Sequence, residues 1–303
     1  MAVYLSKQST YSREAIKTAT ADLIAHFDIS LSDFSSILLK PNFVVSESHK
    51  RGSTTHPDFY MAIAELLMDH GISVSIGDSP AFGSTRSTLK RHSVYKECLK
   101  KGIGIVEFKK TEEFEAVNES KKFRKLTVAA ELKDFDAVIN LPKLKVHQQF
   151  VFTGATKNLY GCVTGKRKAY RHFVCENNPL LFAQMILSNA AAVKPLLHIG
   201  DGITSMHKKG PRGGEPYPLH SILASESYLE LDWAFCNIAG IPQDITPLFN
   251  ALDDAEIEAL IKATEAIPFT KRDDFLLSPE SPIEFSATHM IRSVWKSLKT
   301  GSK

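Results

Sequence analysis

Hydrophobic and polar positions alternate between two periods along the first half of the chain. "AVYL" (2–5) reads as a strand, and Ile16, Ala19, Leu23, Ile24 and Phe27 then recur at the spacing of one helix face. "SILLKP" from Ser36 is a short apolar run closed by proline, as a buried strand would be. Thr55 is placed to cap the next helix, with Pro57 in its first turn and Asp58 three residues after the cap. Phe59, Ile63, Leu66 and Leu67 form the stripe of that helix and Gly71 stops it. "ISVSIGD" (72–78) follows as another strand. Strand, helix and strand in succession predict a right-handed crossover between parallel strands.

A basic helix is predicted from Ser84 to near Gly102. "GIVEF", "KLTVAAEL" and "DAVINLP" supply further strands, some of them antiparallel, and "PLLHIGDG" and "HSILAS" supply two more. Asn178 and Pro179 open the helix "NPLLFAQMILSNAAAV". Another helix fits between Tyr228 and Gly240, with Leu231, Ala234, Phe235 and Ile238 on one side. The pattern predicts an α/β fold: a mixed, largely parallel sheet flanked by helices, with an inserted or appended smaller lobe. Residues 1–265 are expected to form a single α/β domain with the smaller lobe around 142–220, and 266–303 a C-terminal extension with a terminal helix.

At 303 residues, 43% of them hydrophobic and 23% charged, the chain can bury a full core. A net charge of +3 excludes a polycation built to coat nucleic acid or membrane, so any basic function is local. No apolar run is long enough for a transmembrane helix and "MAVYLSKQST" lacks the form of a signal peptide, so a cytoplasmic location is expected. Cys98, Cys162, Cys175 and Cys236 show no close pairing, which offers neither a disulfide framework nor a ferredoxin-type cluster motif.

Candidate chemistry lies where the predicted strands end. "LLKPN" ends in Lys40 and Asn42, "SVSIGDSP" in Asp78, "VINLPKLK" in Lys143 and Lys145, and "LHIGDG" in Asp201. In open α/β sheets the carboxyl ends of strands line the ligand crevice, although strand ends that simply meet water are polar too. From Ala137 to Cys175 there is no Asp or Glu, while Lys143, Lys145, His147, Lys157, Lys166, Arg167, Lys168, Arg171 and His172 all fall there. Such a one-sided segment points to a bound anion: phosphate, carboxylate or a nucleotide tail. Within it, "TGATKNLYG" has small residues that let backbone N–H groups approach an oxyanion, without the spacing of a P-loop.

The reading assigns Lys40, Asn42, Lys143, Lys145, Thr156, Lys157 and Asn158 to ligand binding, with the lysines as counter-charges. His147 is the proton carrier or ligand contact, and Asp78 and Asp201 are general bases or orienting groups. Each aspartate equally suits a turn or cap. His147, Cys162, His172 and Cys175 invite a metal but match no zinc template, and no metal ligand is assigned. The alternative to an enzyme is a nucleic-acid or protein interaction module using the basic 143–171 segment. Nucleic acid is disfavoured because Lys143 and Lys145 follow a buried strand, and Phe150, Phe152 and Tyr160 read as core. "MHKKGPRGGEPYP" (206–218) reads as a mobile loop whose Lys208, Lys209 and Arg212 close over an anion, or as plain surface. Met290, Ile291, Val294, Trp295 and Leu298, beside Arg292, Lys296 and Lys299, form a stripe for a terminal helix that packs on its own domain or docks elsewhere.

"LLKPNFV", "TTHP", "IGDSP", "VINLPKLKVH", "TGATKNLYG", "GDGITSMHKKGPRGGEP" and "ILASESYLELD" occur in the order seen in the family catalogued as domain of unknown function 362, which the chain resembles from Ser36 to Gly240. The resemblance brings no assigned activity and leaves the cofactor unknown. Many members carry ferredoxin-like iron–sulfur modules, which implies redox association. This sequence has no C-x-x-C-x-x-C run, so an electron-transfer partner would be external. A weaker similarity, to nickel-pincer lactate racemases, implies that Lys143 or Lys145 holds an anionic nucleotide-derived cofactor and that His147 contacts its metal.

Overall fold

The computed structural model describes residues 2–115, 123, 125–165, 167–175 and 178–279. In chain order the elements are β1 (Tyr4–Lys7), α1 (Arg13–His26), β2 (Ser36–Pro41), α2 (Pro57–Asp69), β3 (Ser73–Asp78), α3 (Thr85–Arg91), α4 (Tyr95–Lys101) and β4 (Gly104–Glu107). Then come β5 (Thr111–Glu115), β6 (Lys125–Ala129), β7 (Ala137–Leu141), β8 (Lys143–His147), β9 (Val151–Thr153), α5 (Ala155–Leu159), α6 (Arg167–Val174) and α7 (Pro179–Val193). The last are β10 (Leu197–His207), β11 (Glu215–Tyr217), β12 (Ser221–Ser225), α8 (Tyr228–Ala239) and α9 (Asp254–Thr264).

The main sheet runs β1-β12-β10-β7-β2-β3-β4. Pairings from β10 through β7, β2 and β3 to β4 are parallel, whereas β12 joins β10 and β1 antiparallel. This is the mixed, largely parallel sheet flanked by helices that the periodicity predicts. Alternation along each strand distributes its side chains between two layers. Ile37 and Leu39 of β2, with Ile139 and Leu141 of β7, pack under α1 and α2. Leu38 and Val138 point the other way, against Leu159 of α5 and Ala190 and Val193 of α7.

β8 departs from the flat sheet. The chain leaves β7 at Leu141, passes Pro142, and continues as β8 alongside the second half of β10. Leu144 and Val146 of β8 enter a further core with Phe150, Phe152, Phe182, Phe235 and Phe249, where α8 also packs. A separate antiparallel ribbon joins β5 and β6.

Several boundaries differ from expectation for local physical reasons. His56, not Thr55, caps α2: its Nδ1 accepts the Asp58 N–H at 3.2 Å. Thr55 turns inward instead, donating to Leu141 O and accepting from Asn42 N, both at 2.8 Å. The basic helix from Ser84 is two helices, because Ser93 between them takes a positive φ of 64°. β5 escaped the pattern because "TEEFE" is mostly charged, with Glu113 and Glu115 exposed on a two-stranded ribbon outside the main sheet. "MHKKGPRGGEPYP" is not a structureless loop: β10 runs on to His207, and β11 returns antiparallel with Ser205 opposite Tyr217. Lys166, the side chain of His172 and the C-terminal stripe Met290, Ile291, Arg292, Val294, Trp295, Lys296, Leu298 and Lys299 lie outside the described residues. Among the described residues no helix is long and apolar enough to cross a membrane.

Leu144 is fully buried, and its methyl groups lie over Gly200 and Gly202 of β10. Leu144→Ala is expected to lower stability by about 2–5 kcal/mol, read as a lower urea midpoint with an unchanged slope.

Candidate functional site

Parity along β2 and β7 decides which polar groups meet. Lys40 and Asn140 lie two residues beyond Leu38 and Val138, so both project to the layer that contains α5. There Lys40 Nζ donates to Asp78 Oδ1 at 2.8 Å, to Pro41 O at 3.2 Å and to Asn158 Oδ1 at 3.3 Å. The second Asp78 oxygen accepts the Phe43 N–H at 2.8 Å. Asn158 ties the group together: its Oδ1 accepts from Asn42 Nδ2 at 2.9 Å, and its Nδ2 donates to Asn140 Oδ1 at 2.8 Å. Gly161 lies against the ion pair so closely that a Cβ there would sit 2.5 Å from both Asp78 Oδ1 and Lys40 Nζ.

A second ion pair follows from the register of β8 against β10, which sets Lys143 opposite Asp201. Lys143 Nζ donates to Asp201 Oδ2 at 2.8 Å and to the Tyr11 hydroxyl at 2.9 Å, and that hydroxyl donates to Asp201 Oδ1 at 2.8 Å. The His56 N–H adds a bond to Asp201 Oδ2 at 2.9 Å. Burial, reinforced by Asp201, pushes the Tyr11 hydroxyl far above its ordinary pKa, so it stays a neutral donor. Burial lowers Lys143, and Asp201 opposes that shift.

Lys145 lies on the same face of β8 as Lys143 and His147, two residues from each. It is fully buried, but among the described residues its Nζ meets only neutral oxygens: Ser53 O, Pro211 O at 3.2 Å and Asn42 Oδ1 at 3.4 Å. Burial drives its pKa well down; Glu47 raises it, while Lys143, Lys157 and Arg212 lower it further. The two backbone carbonyls come from different loops, 42–56 and 208–214, which close over the amine from opposite sides of the sequence. His147 is buried and its Nδ1 accepts the Gln149 N–H at 3.1 Å, which places its ring proton on Nε2. Half-buried Lys157 lies over the rings of Phe150 at 5.6 Å and Phe182 at 5.5 Å. Burial and neighbouring Lys168 push its pKa down to about 8.

The small residues of "TGATKNLYG" do receive an oxyanion, but the chain itself supplies it. Asp232 of α8 accepts the Ala155 N–H at 2.5 Å and the Thr156 N–H at 3.0 Å, across the N-terminus of α5. A Cβ at Gly154 would fall 2.0 Å from Asp232 Oδ1, so only glycine permits this approach. The Thr156 N–H and the Asn158 amide are therefore held by internal partners. Elsewhere in the basic segment Arg171 is buried against Asn189 and Thr127, and Lys168 donates to Ser79 O. Sequence reasoning missed Tyr11, His56, Asn140 and Asp232. An Asp between Leu231 and Trp233 on an otherwise apolar helix face, and an Asn inside the run "VINL", were the available signals.

Residues 37–237 match the family described as Domain of unknown function (DUF362). A thylakoid-associated protein of Synechocystis sp. is 32% identical over 266 residues, covering 86% of this chain and 82% of that protein. The chain belongs to the DUF362 family. Among solved structures, the lactate racemase apoprotein from Thermoanaerobacterium thermosaccharolyticum superposes with a TM-score of 0.48 at 13% identity. That match covers 75% of this DUF362 chain and 55% of the racemase, so the chain spans about half the racemase's length.

Cys98, Cys162, Cys175 and Cys236 of this DUF362 member are buried, and none is in a disulfide among the described residues. Burial raises the Cys98 thiol to about 11 and the Cys162 thiol to about 12, and pushes Cys236 well up, which removes these three as ready thiolates. Among the described residues, no three His, Cys, Asp or Glu side chains converge as metal ligands would. Because Asp78 would be left buried and unpaired, Lys40→Met is expected to cost about 3–5 kcal/mol in urea unfolding. Lys40→Met/Asp78→Asn should recover part of that loss. Equal destabilisation by single and double variants would show that the pair is not what holds this cluster together.

Proposed function

We propose that this chain binds an anionic small molecule, a phosphate, carboxylate or nucleotide-like group, at the carboxyl edge of its sheet, with Lys145 as the principal counter-charge. One observation carries the reading. Of the three buried lysines, Lys40 on β2 and Lys143 on β8 each contact an aspartate, whereas Lys145 on β8 contacts no carboxylate among the described residues. A buried ammonium without a counter-charge is costly, and an arriving anion supplies what the fold leaves out.

The ligand would replace the carbonyls of Ser53 and Pro211, so admission requires loop 42–56 or loop 208–214 to swing aside. Lys157 and Arg212, the cations that already depress Lys145, would then face the same anion. Lys40, Asp78, Lys143 and Asp201 form the fixed floor in this reading, and Asn42 links that floor to Lys145. His147, on the Lys145 face of β8, is the group suited to carry a proton to or from a bound substrate. An interaction module tracking nucleic-acid phosphates is less well supported, because burial withdraws Lys143, Lys145 and Arg171 from any surface strip. The buried, high-pKa thiols favour no in-chain redox role, so a redox reaction would need an external electron carrier.

Calorimetric titration with inorganic phosphate, citrate and ATP checks the proposal. Binding should be accompanied by proton uptake, seen as a dependence of the heat on buffer ionisation enthalpy. The sign follows from Lys145: its pKa is depressed below the ordinary 10.5 in the free protein and rises again when an anion arrives. Affinity should therefore increase as pH falls from 10.5 towards the depressed value. Lys145→Met should weaken binding by about 10–100-fold, as expected for losing a charge-assisted hydrogen bond, and abolish the proton uptake. Unchanged binding by a folded Lys145→Met protein would place the site elsewhere.

A further inference from the structure

The anion site makes no use of the outer faces of α3 and α4, where the sequence predicts its basic helix. Arg86 and Lys90, one turn apart on α3, converge on the Tyr95 ring at 5.8 Å and 5.2 Å, which joins the two helices into one surface. Leu99 lies one turn beyond Tyr95 on α4 and is 56% exposed; Lys96 and Lys100 flank it on the same side. Phe82, just before α3, is 40% exposed, and Arg91 extends the cationic region.

Nearby carboxylates are engaged elsewhere. Glu97 holds Arg13 at 2.5 Å and 3.1 Å, Glu65 holds Arg13 and Lys101, and Glu107 accepts the Thr85 and Arg86 N–H groups. Arg86, Lys90, Arg91, Lys96 and Lys100 are exposed, with no carboxylate within ion-pair distance among the described residues. In a chain of net charge +3, this is a local concentration of positive charge interleaved with apolar tips.

We infer that this face docks on an anionic lipid bilayer, with the cations at headgroup level and the Leu99 and Phe82 side chains reaching the acyl boundary. Chemistry favours lipid over the two other polyanions. Tyr95 has Arg86 and Lys90 packed over its ring, which leaves it poorly placed as a stacking platform for bases. The patch is richer in Lys than in Arg, and Lys is depleted in protein–protein interfaces, whereas long Lys stems suit a lipid surface by burying methylenes while the ammonium stays wet. Exposed apolar side chains among juxtaposed basic residues are the features by which peripheral proteins hold anionic membranes.

The test is co-sedimentation of the full chain with phosphatidylcholine vesicles and with vesicles that also contain phosphatidylglycerol. Binding is expected only to the anionic vesicles and should be lost at high salt. Each surface cation removed should weaken partitioning about fivefold, so Lys96→Ala/Lys100→Ala should lose about 25-fold. Lys7→Ala/Lys262→Ala changes net charge equally at distant exposed positions and should bind as the parent does. Leu99→Ser should weaken binding several-fold while leaving the salt dependence intact. The proposal is overturned if anionic vesicles are not bound, if both double variants lose equally, or if the Lys96/Lys100 pair instead controls binding to a duplex oligonucleotide or an acidic protein. These variants leave the Lys145 site untouched, so phosphate binding reads that reading separately.

Discussion

An ammonium group taken out of water must meet a compensating charge or a complete set of oxygens, and this sheet buries three, Lys40 on β2 and Lys143 and Lys145 on β8. The arrangement around them follows from that requirement. Strand parity turns Lys40 and Asn140 towards α5, the β8–β10 register sets Lys143 against Asp201, and Asn158 supplies amide groups that reach three partners at once. Even the choice of Gly161 over any larger residue is fixed by the approach of the Lys40–Asp78 pair. Among the described residues, Lys145 is the member of this set whose oxygens are all neutral.

Much of the scaffold was legible because hydrophobic periodicity and local chemistry agree. "SILLKP" became β2 with the expected ends, and Asn178 caps α7 as its sequence requires, accepting the Leu181 N–H at 3.0 Å. Polar strand ends were legible too: Lys40, Asn42, Asp78, Lys143, Lys145 and Asp201 lie in linked hydrogen-bond clusters. Pairing within those clusters was not legible, since it depends on register and on residues far along the chain. The absence of acids between Ala137 and Cys175 suggested one external anion. In the folded chain Asp201 answers Lys143, and Asp232 answers the N–H groups after Gly154; neither lies within the segment. Local composition reports charge balance only along the chain, whereas the sheet balances it across the fold.

Site and surface share a mechanical connection through β3. Asp78 ends that strand, and Thr85 at the start of α3 both donates to Asp78 O at 2.9 Å and accepts from Asp78 N at 3.2 Å. Ser46, in the loop that also carries Ser53, bonds Ser87 of α3 and contacts Thr88 at 3.1 Å. A shift of α3 therefore bears on both the Lys40–Asp78 floor and the loop over Lys145. Three histidines line the same loop: His56 stacks on Tyr11 at 3.6 Å, and His49 meets His56 and His92 edge-on. Burial lowers all three, which keeps this wall of the loop uncharged.

The distance in sequence between these partners shapes the order in which the protein can be made. Tyr11 and Lys143 wait for Asp201, β1 waits for β12, and the α5 N-terminus waits for Asp232. Lys143 emerges from the ribosome well before its carboxylate partner Asp201, so it stays hydrated until β10 has been made. Docking of β8 on β10 and of the α5 N-terminus on α8 therefore comes late in synthesis, after β2, β3 and the Lys40–Asp78 pair are already in the chain.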